Sequence, residues 1–514
     1  MLNCKQVLAR IGIYCLLSAA LLPAQQPQPQ SGGAAHADVI PLSGRSGQAG
    51  SVSATQSATP AGSNINTLNS SVQVQGSYQG SILGPATPPG PFTLTLEEAL
   101  KRGLAYNLGA VGFEQSIRQA RGERYVSLSH LMPNISAGLT ETVQQTNLAA
   151  LGLKFGALPG GLSFPTIVGP FNYFDLRGDV TQTVFDWTAI KNYRASRESE
   201  KATQLSSRDA RDLIVLAVSG GYLQVVAAAA RVDAARAQVA AAQALYQQAA
   251  DRHTAGLNAR IDVTRSQVEL QTEQNRLTSQ INDFAKQKIA LARLIGLPVS
   301  QEYALSDAMA FVPLENLTLD QAITRAAQNR ADLQASQAQI RAAEQIVKAA
   351  HAERLPTVSL DANYGAIGPV PSNSHGTFGV TGSLKVPIWQ GGRVRGDIDQ
   401  AEAALAQRKA EYEDLRQRVE ADVRNAFLDL SAAAEQIRVA RSNQELAQET
   451  LTQSRDRFAA GVANTVEVVQ AQESVAAADQ DYISSLFAHN LAKVSLARSI
   501  GEAEQTTKEF LKGK

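Results

Sequence analysis

Cysteine is almost absent from this 514-residue chain: the only two, Cys4 and Cys15, lie within its first fifteen residues. Aromatic residues make up 5%, with two tryptophans, and there are three methionines and six histidines. Neither charge sign is in excess, with Lys+Arg 47 against Asp+Glu 47, so the basic surplus of a nucleic-acid binder is missing. A mean hydropathy of −0.15 is too polar for a bundle of membrane helices, each needing about 20 apolar residues. The length alone would suit several ordinary domains of roughly 100–200 residues.

What is present begins with a leader. Lys5 and Arg10 precede the apolar run Ile11-Gly-Ile-Tyr-Cys-Leu-Leu-Ser-Ala-Ala-Leu-Leu22, and Pro23-Ala24-Gln25 offers a small residue for cleavage. Residues 1–24 therefore read as a secretory signal peptide, too short to span a bilayer as a helix. Cys4 follows Asn3 and Cys15 follows Tyr14, not the small residue expected before a lipidated cysteine. Cleavage would leave a thiol-free chain, without disulfides, thiolate metal sites or cysteine nucleophiles.

Residues 25–92 are rich in Gln, Gly, Ser, Ala and Pro and nearly free of charge. Such a composition buries too little apolar surface to offset chain entropy, which predicts a disordered arm. The remainder is an internal duplication, with repeats expected over 93–310 and 311–505 and a short tail over 506–514. Leu94-Thr-Leu-Glu-Glu-Ala99 returns as Leu317-Thr-Leu-Asp-Gln-Ala322, and Pro133 as Pro356, at an offset of 223. Arg252-His-Thr-Ala-Gly256 returns as Arg457-Phe-Ala-Ala-Gly461, Asp262 as Glu467, and Leu291-Ala-Arg-Leu-Ile-Gly296 as Leu496-Ala-Arg-Ser-Ile-Gly501, at an offset of 205. The difference is an apolar, Gly- and Pro-rich insertion near 147–170 of the first copy.

Each copy predicts a short helix (near Leu96–Tyr106 and Leu319–Gln328), a second helix ended by its proline, two strands, and two long helices joined by a glycine turn. The strands alternate with period two. Val358, Leu360, Ala362 and Tyr364 oppose Thr357, Ser359, Asp361 and Asn363, and Phe174, Leu176, Val180 and Val184 oppose Asp175, Arg177, Asp179 and Thr181. Glu141 and Gln182 each break the pattern once. An apolar face backed by a charged one suits a lipid-facing barrel around a wet lumen, although an ordinary half-buried sheet reads the same locally. In the helices, Val218, Val225, Val232, Val239 and Tyr246 recur every seven residues, as do Val263, Leu270, Leu277, Phe284 and Leu291. Their second-copy counterparts are Val423, Leu430, Ile437, Gln444 and Leu451, and Val468, Val475, Tyr482, His489 and Leu496. A strict heptad imposes a left-handed supercoil. The helical stretches from about Thr188 to Ala249 and Gly392 to Phe458 would each span roughly 90 Å. Four strands cannot close a membrane barrel, whose minimum is eight, whereas three chains supply twelve.

In these paired Leu-Thr-Leu-(Glu/Asp)-x-Ala starts, in Pro133 and Pro356, in Val386-Pro-Ile-Trp-Gln-Gly-Gly-Arg393, and in the two Arg-x-x-x-Gly turns followed by Asp262 and Glu467, the chain resembles the TolC-type outer-membrane factors, over about residues 93–505. The resemblance implies a mainly helical fold with transmembrane β-structure. Long duplicated coiled coils would form an α-helical barrel in the periplasm, and four strands per chain would complete a trimeric twelve-stranded β-barrel in the outer membrane. It implies a homotrimer that contacts outer-membrane lipid and works with a periplasmic adaptor (membrane fusion) protein and an inner-membrane transporter of RND or ABC type. The function implied is a passive exit duct for efflux, with type I protein secretion as the alternative; a poreless periplasmic coiled coil is a more distant one. By position, Gly256 and Gly461 would lie at the periplasmic tip, with Arg252, Gly256, Arg457 and Gly461 as the adaptor-docking surface. Asp262 and Glu467 would stand near the aperture; the bland reading is a solvated acid at a helix start, favoured there by the helix dipole. The family's closing contacts use an aromatic residue three before the second glycine and a basic residue two after it. Phe458 keeps the ring, Ala463 lacks the charge, and Gln470 replaces a second acidic position, so a different gate is expected.

Nothing points to an enzyme or to a cofactor. His36, His130, His253, His351, His375 and His489 show no metal-ligand spacing, and there is no phosphate loop or nucleophile elbow. His253, beside the first turn, is more simply a surface histidine than a metal ligand.

Overall fold

The computed structural model describes residues 50–58, 68–85, 92–150, 166–257, 259–307, 310–313 and 317–512. The leader over 1–24, much of the arm and the middle of the insertion lie outside the described residues.

Among the described residues, eight strands and nine α-helices follow one another in duplicated order. β1 (Val52–Ala58), β2 (Leu68–Val74) and β3 (Phe92–Leu94) precede helices α1 (Leu96–Tyr106) and α2 (Leu108–Ser129). Strands β4 (Asn134–Asn147) and β5 (Ile167–Phe185) lead into α3 (Trp187–Thr254) and α4 (Arg260–Leu294). After β6 (Tyr303–Leu305), the series repeats as α5 (Leu319–Asn329), α6 (Ala331–Ala352), β7 (Thr357–Gly368), β8 (His375–Lys385), α7 (Arg393–Ala459) and α8 (Thr465–Ser499). Helix α9 (Ala503–Lys512) closes the chain.

The repeated Leu-Thr-Leu start is a helix cap. The Thr95 hydroxyl accepts the Glu98 N–H at 3.2 Å, and Thr318 and Gln321 form a complete capping box on α5. At the kink between α1 and α2, fully buried Asn107 accepts the Gly109 N–H and donates to the Tyr78 and Leu294 carbonyls. Helices α2 and α6 are each 22 residues long and stop short of Pro133 and Pro356, as proline demands.

The sheet order is β4-β5-β7-β8, all antiparallel, with β4 and β8 as free edges. Its register aligns the apolar faces of all four strands: Ile135, Val180, Ala362 and Val380 form one row, and Leu139, Leu176, Ala366 and Gly376 another. These outward side chains are unpartnered, with Ile135 74% and Phe378 79% exposed. On the other face Asp179 lies in register with Ser136 and Asn363, and Asp361 with Thr181 and Thr381. Of the two exceptions, Glu141 lies midway along β4, in the last row that β5 shares with β7, and Gln182 lies near the helical end of β5. Glu141 shares the row of Phe174 and Gly368, and the Gln182 amide donates to the carbonyls of Leu131 and Thr183.

Helices α3 and α7 are 68 and 67 residues long, about 100 Å at 1.5 Å per residue. The heptad positions of α3, α7 and α8 are the coiled-coil seams: Val218, Val225, Val232, Val423, Leu430, Ile437, Val468, Val475 and Leu496 are all buried. The most apolar window of α3 is 72% buried, which marks it as core. In contrast, α4 leaves Val268, Ile281 and Ile289 exposed.

The arm over 25–92 is not simply disordered. Its described residues form the antiparallel hairpin β1–β2 and a short 3₁₀ turn at Gly76–Gln79. Val52 and Tyr78 are buried in the main core, the hairpin packing on α3 and α8 and the 3₁₀ turn on α2 and α4. Gly220 makes room for the hairpin: a Cβ there would collide with the Val72 side chain. Composition misjudged the segment because it counts apolar residues without asking whether a groove exists to receive them.

Candidate functional site: the paired helical turns

The α3–α4 and α7–α8 turns have the same backbone design. Gly256 and Gly461 adopt φ of 76° and 73°, the left-handed conformation that glycine reaches without steric cost. The Leu257 N–H bonds back to the Arg252 carbonyl at 2.8 Å, and the Val462 N–H to the Arg457 carbonyl at 3.0 Å. Each long helix thus closes its last carbonyls before the chain reverses. Immediately after the glycines, Leu257 and Val462 are exposed, as is Ile261 at the start of α4.

The side chains differ between the turns. Arg252, in the last turn of α3, donates from its two terminal guanidinium nitrogens to the Phe458 and Ala459 carbonyls at the end of α7, each at 2.8 Å. Its guanidinium also lies 4.6 Å from the Phe458 ring centre. Phe458 is only 3% exposed, packed with Leu451, Val468, Ala471 and partly buried Ala463. Within the chain, therefore, Phe458 and Ala463 belong to the small core that ties the two turns together. Arg457 forms an ion pair with Glu467 at 2.9 Å. Asn464 caps α8 by accepting the Glu467 N–H, which fixes the start of the helix from which Glu467 projects. Asp262 is half-buried and sits 4.0 Å from Arg265. Gln470 is exposed.

The turns thus unite Arg252 with Phe458 and Arg457 with Glu467, whereas Asp262 belongs to a separate pair. Sequence reasoning missed Asn464 and Arg265, as well as exposed Leu257, Ile261 and Val462. The Asn-x-x-Glu spacing at 464–467 was a legible capping signal. Farther up, Asp479 of α8 accepts from Gln444 of α7 at 2.8 Å and from Gln238 of α3 at 3.4 Å. Gln444 breaks an otherwise apolar heptad seam, so this is a polar crossing between the two repeats. Among the described residues, no group of three or more His, Cys, Asp or Glu is placed to hold a metal ion.

An amphipathic sheet with free edges, continued by two supercoiled hairpins about 100 Å long, defines a class of outer-membrane channel proteins. The chain belongs to the outer membrane efflux protein family: the model of that family matches residues 113–297 and 322–502, one segment per repeat. Among curated relatives, the pyoverdine export outer membrane protein OpmQ of Pseudomonas aeruginosa is 24% identical over 325 residues, covering 62% of this chain and 68% of the relative. OpmQ of Pseudomonas putida is 22% identical over 396 residues, covering 75% and 81%. The solved CmeC outer membrane channel of Campylobacter jejuni shares the fold, with a TM-score of 0.69 at 15% identity over 81% of this chain and 89% of CmeC. The chain is accordingly an outer-membrane efflux channel, and its family and structural neighbours are channel proteins, not enzymes.

Proposed function

We propose that three copies of the chain close their four-stranded sheets into a twelve-stranded barrel and their helical hairpins into one periplasmic tunnel. Solutes would pass through it passively, driven by an inner-membrane transporter of RND or ABC type and admitted at the tip by a periplasmic adaptor. The observation that carries this reading is the pair of unsatisfied edges, β4 and β8, on a sheet whose outward face is apolar. An open edge is not tolerated in hydrocarbon, and joining β8 of one copy to β4 of the next removes every edge. The exposed Val268, Ile281 and Ile289 of α4 give the neighbouring copy an apolar surface to cover.

Export would use the leader over 1–24, without lipidation, and the repeats over 93–310 and 311–505 would act as one wall. At the tip, Arg252, Gly256, Arg457 and Gly461 form the docking surface for the adaptor, with exposed Leu257 and Val462 beside them. Glu467, held by Arg457 and Asn464, contributes one carboxylate per copy to an aperture ring that attracts cations. Asp262, Phe458 and Gln470 complete the gate region, Phe458 from within its core. Two measurements test the reading. Light scattering of the detergent-solubilised protein should give a trimer that conducts ions in planar bilayers; a monomeric, non-conducting rod would refute it. Replacing Glu467 with Ala should weaken cation selectivity, and unchanged selectivity would remove Glu467 from the aperture.

A further inference from the structure

The hairpin of the first repeat outgrows that of the second. β7 ends at Gly368 and β8 begins at His375, and the last row that β7 shares with β5 is Phe174–Gly368. β5 continues from Tyr173 to Ile167 with β4 as its partner, from Thr142 to Asn147. This two-stranded ribbon rises about 20 Å beyond that row at roughly 3.3 Å per residue, at the end of the sheet away from the helices.

On β5 the two faces change character where the ribbon begins. Within the four-stranded sheet, one side of β5 carries Asp175, Arg177, Asp179, Thr181 and Thr183, and Arg177 pairs with Asp175 on it at 2.6 Å. Alternation puts Tyr173 and Phe171 on the same side, in register with Thr142 and Gln144. Gly169 and Pro170 then stand opposite Gln145 alone. Such a bulge bends the strand, and the pairing of Val168 with Thr146 returns Val168 to the side of Phe171. Phe171 and Val168 are exposed in the single chain. The opposite side turns from Phe174, Leu176 and Val180 to Asn172, whose amide donates to the Pro369 carbonyl at 3.3 Å. A strand wall that simply continued would keep its charged side charged. Here that side becomes apolar, while the side that was apolar acquires an amide.

We propose that Tyr173, Phe171 and Val168 form an apolar collar inside the outer mouth of the channel, above the charged lumen of the barrel, and that exiting solutes pass through it. The proposal rests on the trimeric channel reading above, in which the charged side of β5 faces the lumen. Three copies repeat these side chains around one axis, and their approach removes apolar surface from water. An apolar ring of this kind resists ions, which hold their hydration shells, by dewetting. It yields to solutes with an apolar or aromatic part, which replace the water themselves. The collar thus sets a chemical preference at the exit, in this chain's own residues and far from the periplasmic tip. The rival arrangement turns these side chains toward lipid.

Thiol labelling separates the two. The chain's two cysteines lie within residues 1–24, so Phe171→Cys, Asn172→Cys and Tyr173→Cys each place one thiol in the rest of the full-length protein. Each variant is reconstituted in planar bilayers and exposed to a charged, water-soluble methanethiosulfonate from the outer side. Labelling at 171 and 173 should remove more than about half of the ion current and labelling at 172 almost none, because only pore-facing charge obstructs the pore. As a second measurement, Phe171→Ala combined with Tyr173→Ala should raise single-channel conductance about twofold, with Asn172→Ala unchanged. Block at 172 without block at 171 and 173 turns the ribbon the other way and overturns the collar. Equal effects at all three positions, or at none together with an unchanged conductance of the double alanine variant, overturn it as well while the channel itself stands. Wild-type protein that forms no channels refutes the channel reading, and the collar with it.

Discussion

The Arg252 guanidinium lies over the Phe458 ring and donates to the Phe458 and Ala459 backbone carbonyls. One side chain from the first repeat thus closes the C-terminus of the long helix of the second, where the helix dipole favours a cation. Replacing Arg252 with Ala should remove a donor from the Ala459 carbonyl, leave the Phe458 carbonyl with only its backbone donors, and bare the ring. Charge-assisted hydrogen bonds are worth about 1.5–3 kcal/mol, and an exposed cation–π contact adds about 0.5–1 kcal/mol. The expected result is local opening of the α7–α8 turn, seen as faster amide hydrogen exchange at 457–464 with little change in the β-sheet. Unchanged exchange there would show that the contact does not hold the turn.

Gly256 and Gly461 have room for a Cβ, with nothing within 4 Å, so substitution costs backbone strain alone. Alanine at either site should destabilise its turn by about 1–2 kcal/mol, the penalty for an L-residue in the left-handed region. Because the two turns share their backbone bonds, the two losses should be similar, as measured by denaturant unfolding of the helical signal. A clear inequality would mean that the side-chain contacts around Phe458 dominate.

Asp479 gathers Gln238 and Gln444 into the seam between repeats. Asp479→Ala should cost about 1–2 kcal/mol, since two amides lose their acceptor. Adding Gln444→Leu should recover part of that loss by restoring the apolar heptad. A double-mutant cycle in thermal unfolding checks this, and strictly additive effects would argue against the coupling.

Asp212 is buried, and burial pushes its carboxyl up to about 6, opposed by the Arg498 charge and by the hydrogen bond it accepts from the Glu504 N–H. The folded state holds this proton between the ordinary carboxylate range and pH 6, so stability at this site is greatest in acid and falls as pH rises through that window. Asp212→Asn keeps an acceptor for the Glu504 N–H without the charge. The variant should gain in melting temperature over the wild type at pH 7.5 and lose that advantage near pH 4. An advantage that does not change with pH would refute the assignment.

Much of this organisation was legible in the chain. The duplicated Leu-Thr-Leu starts are helix caps, Pro133 and Pro356 stand just beyond helix ends, and the helix lengths and strand faces follow from periods of seven and two. Each of these features is local: a cap, a proline ring or an alternating face acts on residues within a few positions of itself. Glu141 and Gln182 break the alternation, and only the register places Glu141 in the last row shared by β5 and β7 and Gln182 near the helical end of β5.

The sequence by itself determined the duplication, the order of elements and the seams, because backbone geometry writes those periods into the spacing of apolar residues. Only the tertiary structure decided that the hairpin at 52–74 fills the groove at Gly220, that Phe458 is buried under Arg252, and that Asp479 joins helices of both repeats. Those contacts link residues far apart in the chain. Their geometry depends on how the helices pack, which no local pattern encodes.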